Sequence, residues 1–465
     1  MKKILCCLMV LILSISLDAQ SRDDVKNGAI LHCWCWSFKT VETNLDDIAA
    51  AGFTALQVSP INECLKGDRG GLDLMSHASG KWYYHYQPTD WKIGNYQLGT
   101  RDEFISMCNK AKSLGIGVIV DVLPNHTTPR KKSVSQDLID AVGGMENLYH
   151  AGESHKMTNF SDRLQCTSYD MGGLPDVNTE NPDFQAYFMR YINDCIDCGA
   201  SGFRYDTAKH IALPDDPLDP KSPENDFWPI FTGRKAIRGE NVKNAENLFI
   251  YGEVLQGGNS RELAYSEYFP TVASIYGTLV RGGLKSRKLY ADLTDWKHKG
   301  GKDKIVTWVE SHDTYANAGE SAKLTNFELR AGWAFICARD GGTPLFFNRP
   351  KGAEATQFPG VSKIGDAGND EYKSPEVREV NLFRRAMIGQ PETLENGEDA
   401  SLTIIKRGGK GAVIINLNKK KAQTVNTQIG LPDGKYTDRA NKIRFTVKDG
   451  ILTGKMPKEK IAVVY

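Results

Sequence analysis

A chain of 465 residues is longer than a single small hydrophobic core supports, so a barrel-sized domain with smaller attachments is expected. Its 58 basic and 57 acidic residues leave a net charge of +1, and no long basic stretch carries interleaved aromatics. That balance argues against nucleic acid or an anionic membrane as the main partner and favours a neutral polar substrate.

The N-terminus reads as an export signal. Lys2-Lys3 is followed by an apolar run over 4–17 and then Asp18-Ala19-Gln20-Ser21, so a signal peptide spanning 1–19 and cleaved after Ala19 is expected. An uncleaved anchor is the alternative; the run is short for a membrane span, and none appears later. Secretion, to the periplasm or beyond, follows. Cys6 and Cys7 open the apolar run instead of following it, which is wrong for a lipoprotein. Eight cysteines remain: Cys33, Cys35, Cys64, Cys108, Cys166, Cys195, Cys198 and Cys337. Cys195-x-x-Cys198 could suggest zinc or redox chemistry, but it falls in a helical pattern without a second ligand pair. Buried or loosely paired thiols are the favoured reading.

Short apolar runs then alternate with helical patterns. Ile30-Leu31-His32-Cys33-Trp34 precedes a helix over 41–51. Ala55-Leu56-Gln57-Val58-Ser59-Pro60 leads through an aromatic loop to a helix over 101–114, and Gly117-Val118-Ile119-Val120-Asp121 opens an irregular stretch of about fifty residues. A helix over 184–198 feeds the run before Asp206; further runs begin at Leu248, Ile305 and Thr343, with a weaker one over 271–276. Strand–helix alternation implies a parallel sheet, and eight such strands close into a (β/α)8 TIM barrel. Past residue 390, strand patterns over 402–405, 411–416, 442–447 and 460–464 have no helices between them and predict an antiparallel β-sandwich. The expected organisation is 20–126 barrel, 127–178 insertion, 179–390 barrel and 391–465 sandwich.

Three acids sit just past predicted strands: Asp206, Glu253 and Asp313. In a parallel barrel such positions face the mouth, where loops bind substrate. Retaining cleavage of a glycosidic bond needs two of them, a nucleophile and a proton donor. Arg204 lies on the face of Asp206, two residues away, and should hold it ionised. Glu253, partly buried near another carboxylate, should keep its proton. Asp121-Val122-Leu123-Pro124-Asn125-His126 and Ser311-His312-Asp313 are weak signals singly. Each acid or histidine alone is as readily a structural group; their joint order on successive strand ends is specific.

With these motifs the chain resembles the α-amylase family of retaining glycoside hydrolases over roughly residues 27–465; Leu174-Pro175-Asp176-Val177-Asn178 matches a fifth family motif. The resemblance implies a (β/α)8 barrel, an irregular domain inserted after the third strand and a C-terminal sandwich. It makes Asp206 the nucleophile, Glu253 the acid and then base, and Asp313 the transition-state stabiliser, the first two carboxyls being about 5 Å apart. It places Trp82, Tyr83, Tyr86, Gln87, His126, Arg204, Lys209, His210 and His312 around the sugar. For Trp82 the alternative is a packing role at the barrel rim. It implies a calcium ion (Ca2+) held by the Asn125 side chain, the Asp176 carboxylate, the His210 carbonyl and a carbonyl near Thr167. Ser311, where chloride-activated relatives carry asparagine, argues against chloride dependence. Lys209-His210 and Leu174 resemble enzymes of α-1,4 glucans, so the expected partner is an α-glucan. The Pro- and Asp-rich 213–225 loop is expected to narrow the cleft or add a subsite. A monomer that cleaves endo and retains configuration is expected. An exo-acting or transferring relative is the alternative, and a glucan-binding protein without catalysis is a third reading.

Overall fold

The computed structural model describes residues 21–67, 71–75 and 81–465. The expected signal segment, 1–19, lies outside them.

Eight parallel strands close a barrel in chain order: β1 (Ile30–Cys33), β2 (Ala55–Val58), β3 (Gly117–Val122), β4 (Gly202–Tyr205), β5 (Phe249–Gly252), β6 (Thr271–Val272), β7 (Ile305–Trp308) and β8 (Thr343–Phe347), which returns to β1. Every residue of these strands is buried, because helices cover the outer face and side chains fill the inner one. Continuous apolar runs are therefore the sequence mark of these strands. β6 is only two residues long, shorter than the expected 271–276; Ser274 already begins the helix Ser274–Ser286.

The helical patterns form close to where periodicity places them, as Phe38–Ala50, Arg101–Ser113 and Pro182–Asp197. Their starts are capped. Thr100 and Glu103 make a reciprocal capping box, and Pro182 occupies the first turn after Asn181. Between β3 and β4 the chain leaves the barrel as an irregular insertion with short helices, among them Gln136–Ala141 and Arg163–Ser168.

The C-terminal part consists of two four-stranded antiparallel sheets. One is ordered β9 (Glu392–Asn396), β10 (Leu402–Arg407), β11 (Gly411–Asn416) and β16 (Lys460–Val464). The other is ordered β12 (Gln423–Gln428), β15 (Ile451–Met456), β14 (Arg444–Lys448) and β13 (Gly434–Thr437). Leu402, Ile404 and Ile414 of the first sheet share a core with Val425, Phe445 and Leu452 of the second. Half of these strands escaped the sequence reading; β9 and β13 have no buried residue, so no alternation marks them.

All eight described cysteines are buried and free. Burial alone pushes the Cys33 thiol far up, so it behaves as an apolar group. No helix among the described residues is long and apolar enough to cross a membrane.

Candidate active site

Register sets the floor of the site. Asp121 of β3 pairs with Arg204 of β4, which pairs with Tyr251 of β5, so one layer carries an acid, a base and a phenol. Arg204 is fully enclosed, and its two terminal nitrogens divide four contacts. Nη1 donates to Asp121 Oδ1 at 2.7 Å, to Asp121 Oδ2 at 2.8 Å and to Asp206 Oδ1 at 2.5 Å; Nη2 meets Glu253 Oε2 at 2.9 Å. Strand ends put Asp206 and Glu253 side by side, one residue past β4 and one past β5. Gly252 permits this crowding, since a Cβ there would lie 2.4 Å from the Phe269 ring.

The backbone is strained at the same spot. Thr207 adopts a left-handed conformation at φ 47°, unfavourable for a β-branched residue. That twist turns its N–H onto Glu253 Oε2 at 2.9 Å. Two donors therefore hold the same oxygen of Glu253, Oε2. Arg204 likewise holds Oδ1 of Asp206.

Sequence reasoning assigned Arg204 to Asp206 alone; the structure corrects this, because the guanidinium serves both acids and Asp121 besides. Burial raises the carboxyl pKa values of Asp206, Glu253 and Asp313 above their ordinary range, while Arg204 pulls each of them down. The Thr207 N–H also bonds Glu253, and the charge of Asp313 raises both Asp206 and Glu253. Asp121 is fully buried, and its carboxyl is pushed up to about 8 by that burial against the pull of Arg204. It also accepts the Tyr86 hydroxyl at 2.9 Å, fixing that ring.

Asp313 stands on a π-helical turn that follows β7 (Asp313–Asn317). It is the most open of the three acids, with its side chain 37% exposed against 8% for Asp206 and 12% for Glu253. His312 Nε2 lies 3.4 Å from its Oδ2. The His312 ring stacks on Tyr86 at 4.9 Å and 20°, and Trp82 meets it edge-on. Burial lowers the pKa of His312 to about 3 and that of His126 to about 4, so both present neutral imidazoles near pH 7. His126 Nε2 is hydrogen-bonded to the Tyr86 carbonyl at 3.1 Å.

These groups line one cleft of about 550 Å³, the size of a site for a small polar chain. Trp82, Tyr83, Tyr86, Gln87, His126, Lys209, His210 and His312 all line it with the three acids, whereas Arg204 lies beneath as their support. The floor also has unpaired polar atoms: Gln87 Oε1 and His126 Nδ1 are buried without a partner among the described residues. Sequence reasoning missed Met171, Gly172, Thr207, Leu255 and Asn317, which also line the cleft. None carries a signal beyond its place after a strand end or within the insertion.

The 213–225 loop does not line this cleft. It clasps the insertion to the barrel: Asp216 bonds Arg163 and Arg261, Asp219 accepts the Ala151 N–H, and Ser222 bonds Asn178. The expected narrowing of the cleft is thereby replaced by a brace. Its acids pair with Arg163 and the Ala151 N–H of the insertion and with Arg261 of the barrel.

Of the expected cation ligands, Asn125 and Asp176 are buried and meet at 3.2 Å, where the Asn125 amide N–H donates to Asp176; separately, the His210 ring bonds the Cys166 carbonyl at 2.8 Å, which holds His210 beside Thr167. An amide, a carboxylate and nearby carbonyls are hard oxygen donors of the kind calcium takes. Among the described residues no cluster of three or more His, Cys, Asp or Glu side chains is placed to hold a metal, so neutral oxygens would complete such a site. His150 was not anticipated here. It bridges Asp176 at 2.7 Å and Glu180 at 2.8 Å. Burial alone would lower its pKa, but the two carboxylates carry it to about 10.

A closed parallel barrel with three carboxyls gathered at its C-terminal mouth defines the class of barrel proteins whose loops carry the chemistry. The particular family follows from comparison: residues 37–269 match the model of the α-amylase catalytic domain, and the chain belongs to that family. It is 46% identical to an α-amylase of Butyrivibrio fibrisolvens over 96% of its length, covering 48% of that protein. It is 37% identical to an α-amylase of Clostridium acetobutylicum over 95% of its length, covering 54%. The chain thus spans about half the length of these curated relatives. Among solved structures, wild-type α-amylase I of Eisenia fetida superposes with a TM-score of 0.75 at 18% identity, over 94% of this chain and 97% of that one. That likeness concerns the fold.

Proposed function

We propose that this chain is an endo-acting α-amylase unit that hydrolyses α-1,4-glucosidic bonds of starch, glycogen or maltooligosaccharides with retention of configuration. The observation that carries the reading is a single guanidinium holding one oxygen of Asp206 and one of Glu253, with Asp313 lining the same cleft. Asp206 Oδ2 attacks the anomeric carbon while Glu253 gives its proton to the departing glycosidic oxygen, forming a glycosyl ester and a free chain end. Glu253, now ionised, takes a proton from water, and the resulting hydroxyl attacks the same carbon and releases Asp206. Asp313 accepts hydrogen bonds from sugar hydroxyls as positive charge develops on the ring. Trp82, Tyr83 and Tyr86 offer apolar ring surface, and Gln87, His126 and His312 offer neutral hydrogen-bonding groups suited to an uncharged sugar.

We further propose that Asn125, Asp176 and the carbonyls of His210 and Thr167 hold calcium when it binds, an ion whose contribution is structural. We also propose the domain limits 20–126 and 179–390 for the barrel, 127–178 for the insertion and 391–465 for the double sheet. Export through the 1–19 segment and a monomeric state complete the reading.

The test is turnover on soluble starch with product analysis. Asp206→Ala and Glu253→Gln should each lower kcat by roughly three orders of magnitude or more while oligosaccharide binding persists. Early products should be a mixture of oligosaccharides. A single small sugar from the outset would favour an exo-acting enzyme, and unchanged turnover in either variant would sink the assignment.

A further inference from the structure

Each of the three acids in the cleft has one oxygen engaged by a donor. For Asp206 and Glu253 the donors are Arg204 and, for the latter, the Thr207 N–H; Arg204 reaches neither oxygen of Asp313 within ion-pair distance. The donor on Asp313 is Asn317, whose Nδ2 bonds Asp313 Oδ1. We propose that Asn317 is the positioning residue of Asp313, fixing the carboxylate through Oδ1 so that Oδ2, which lies 3.4 Å from His312 Nε2, addresses the reacting sugar. This rests on the hydrolase reading of the same site.

The backbone makes the contact specific. Residues Asp313–Asn317 form a π-helical turn, closed where the Ala318 N–H donates to the Asp313 carbonyl at 2.8 Å. Such a wide turn inside a protein commonly marks a functional position. Asn317 lies four residues after Asp313 and lines the same cleft. A loop after β8 locks the turn from outside. Gln357 Nε2 donates to the carbonyls of Tyr315 at 2.6 Å and Ala316 at 2.7 Å, while the Phe358 N–H donates to the Tyr315 hydroxyl at 3.0 Å. Below it, Arg349 binds Glu310 and the carbonyls of Ser321, Leu324 and Ala353, all buried. The turn is therefore rigid, and its one amide side chain at the cleft meets the one acid that Arg204 does not hold. An ordered carboxylate needs no reorganisation as charge develops on the sugar, which benefits the transition state more than the bound substrate.

The experiment compares Asn317→Ala and Asn317→Asp with wild type on an aryl maltooligosaccharide, whose good leaving group keeps slow variants measurable. Asn317→Ala should lower kcat 10- to 100-fold with KM within threefold. Asn317→Asp, equal in size but without the donor, should lose at least as much; it carries the test if the alanine variant does not fold. In an Asp313→Ala background, adding Asn317→Ala should change kcat less than twofold, because the group it positions is gone. Wild-type kcat in both single variants, or a full multiplicative loss in the Asp313→Ala background, would overturn the proposal while leaving the hydrolase reading intact. An inactive wild type would overturn both.

Discussion

At the open end of the barrel Asp121, Arg204 and Asp206 are buried together, whereas the space between the two C-terminal sheets is filled by Leu402, Ile414, Val425, Phe445 and Leu452. The first region takes charged groups out of water and recovers that penalty only through mutual contacts. The second gains directly from apolar burial, at roughly 25 cal/mol per Å². The two regions therefore fail differently: removing one partner at the barrel mouth strands several others, while trimming one side chain in the double sheet leaves only a void. Chemistry resides where burial is least favourable, because carboxyls with displaced proton affinities need the low-dielectric surroundings that make them costly.

The sharpest test of this contrast is Arg204→Lys. A lysine keeps one positive charge but cannot offer two nitrogens to Asp206 and Glu253 at once. Activity on starch should fall at least about 100-fold, a loss of about 2.7 kcal/mol in transition-state stabilisation. Activity near wild type would show that the shared guanidinium is not what organises the acids. In the double sheet, Leu452→Ala should lower unfolding free energy by about 2–5 kcal/mol, read from urea denaturation, while kcat at 25 °C stays within twofold. A large fall in kcat from the folded variant would contradict the separation of the two regions.

Chelation probes the junction between insertion and barrel. A bound cation at a hundredfold its dissociation constant contributes about 2.7 kcal/mol, so exhaustive chelation should lower the melting temperature by roughly 3 °C. Amide exchange should speed up around Asn125, Asp176 and Thr167, and remain slow in β12 and β15. Unchanged melting and exchange would remove calcium from the account and leave the Asp216–Arg163 brace and the His150 bridge as the fastening.

Much of the barrel was legible in residue order, because a strand covered on both faces is mostly apolar, as in Gly117–Val122, where Asp121 alone is charged, and Thr343–Phe347. β6 was blurred because two residues carry no period, and β9 was missed because its burial is only partial. At the site, the acids following strand ends could be found because a parallel barrel sends all such positions to one mouth. Asn317 could not, since an asparagine four residues past an acid is common and only a π-turn folds it back onto that acid.

The sequence by itself determined the parallel barrel, the double-sheet appendage and the three acids at strand ends, since side-chain period and order along the chain are local properties. Only the tertiary structure decided that Arg204 serves Asp121, Asp206 and Glu253 together, and that the 213–225 loop braces the insertion instead of crowding the cleft. It also placed Asn317 on Asp313 and His150 between Asp176 and Glu180. Most of those pairings join residues far apart in the chain, and all depend on which donor reaches which oxygen. That is settled by strand register, turn geometry and burial, none of which is written at any single position.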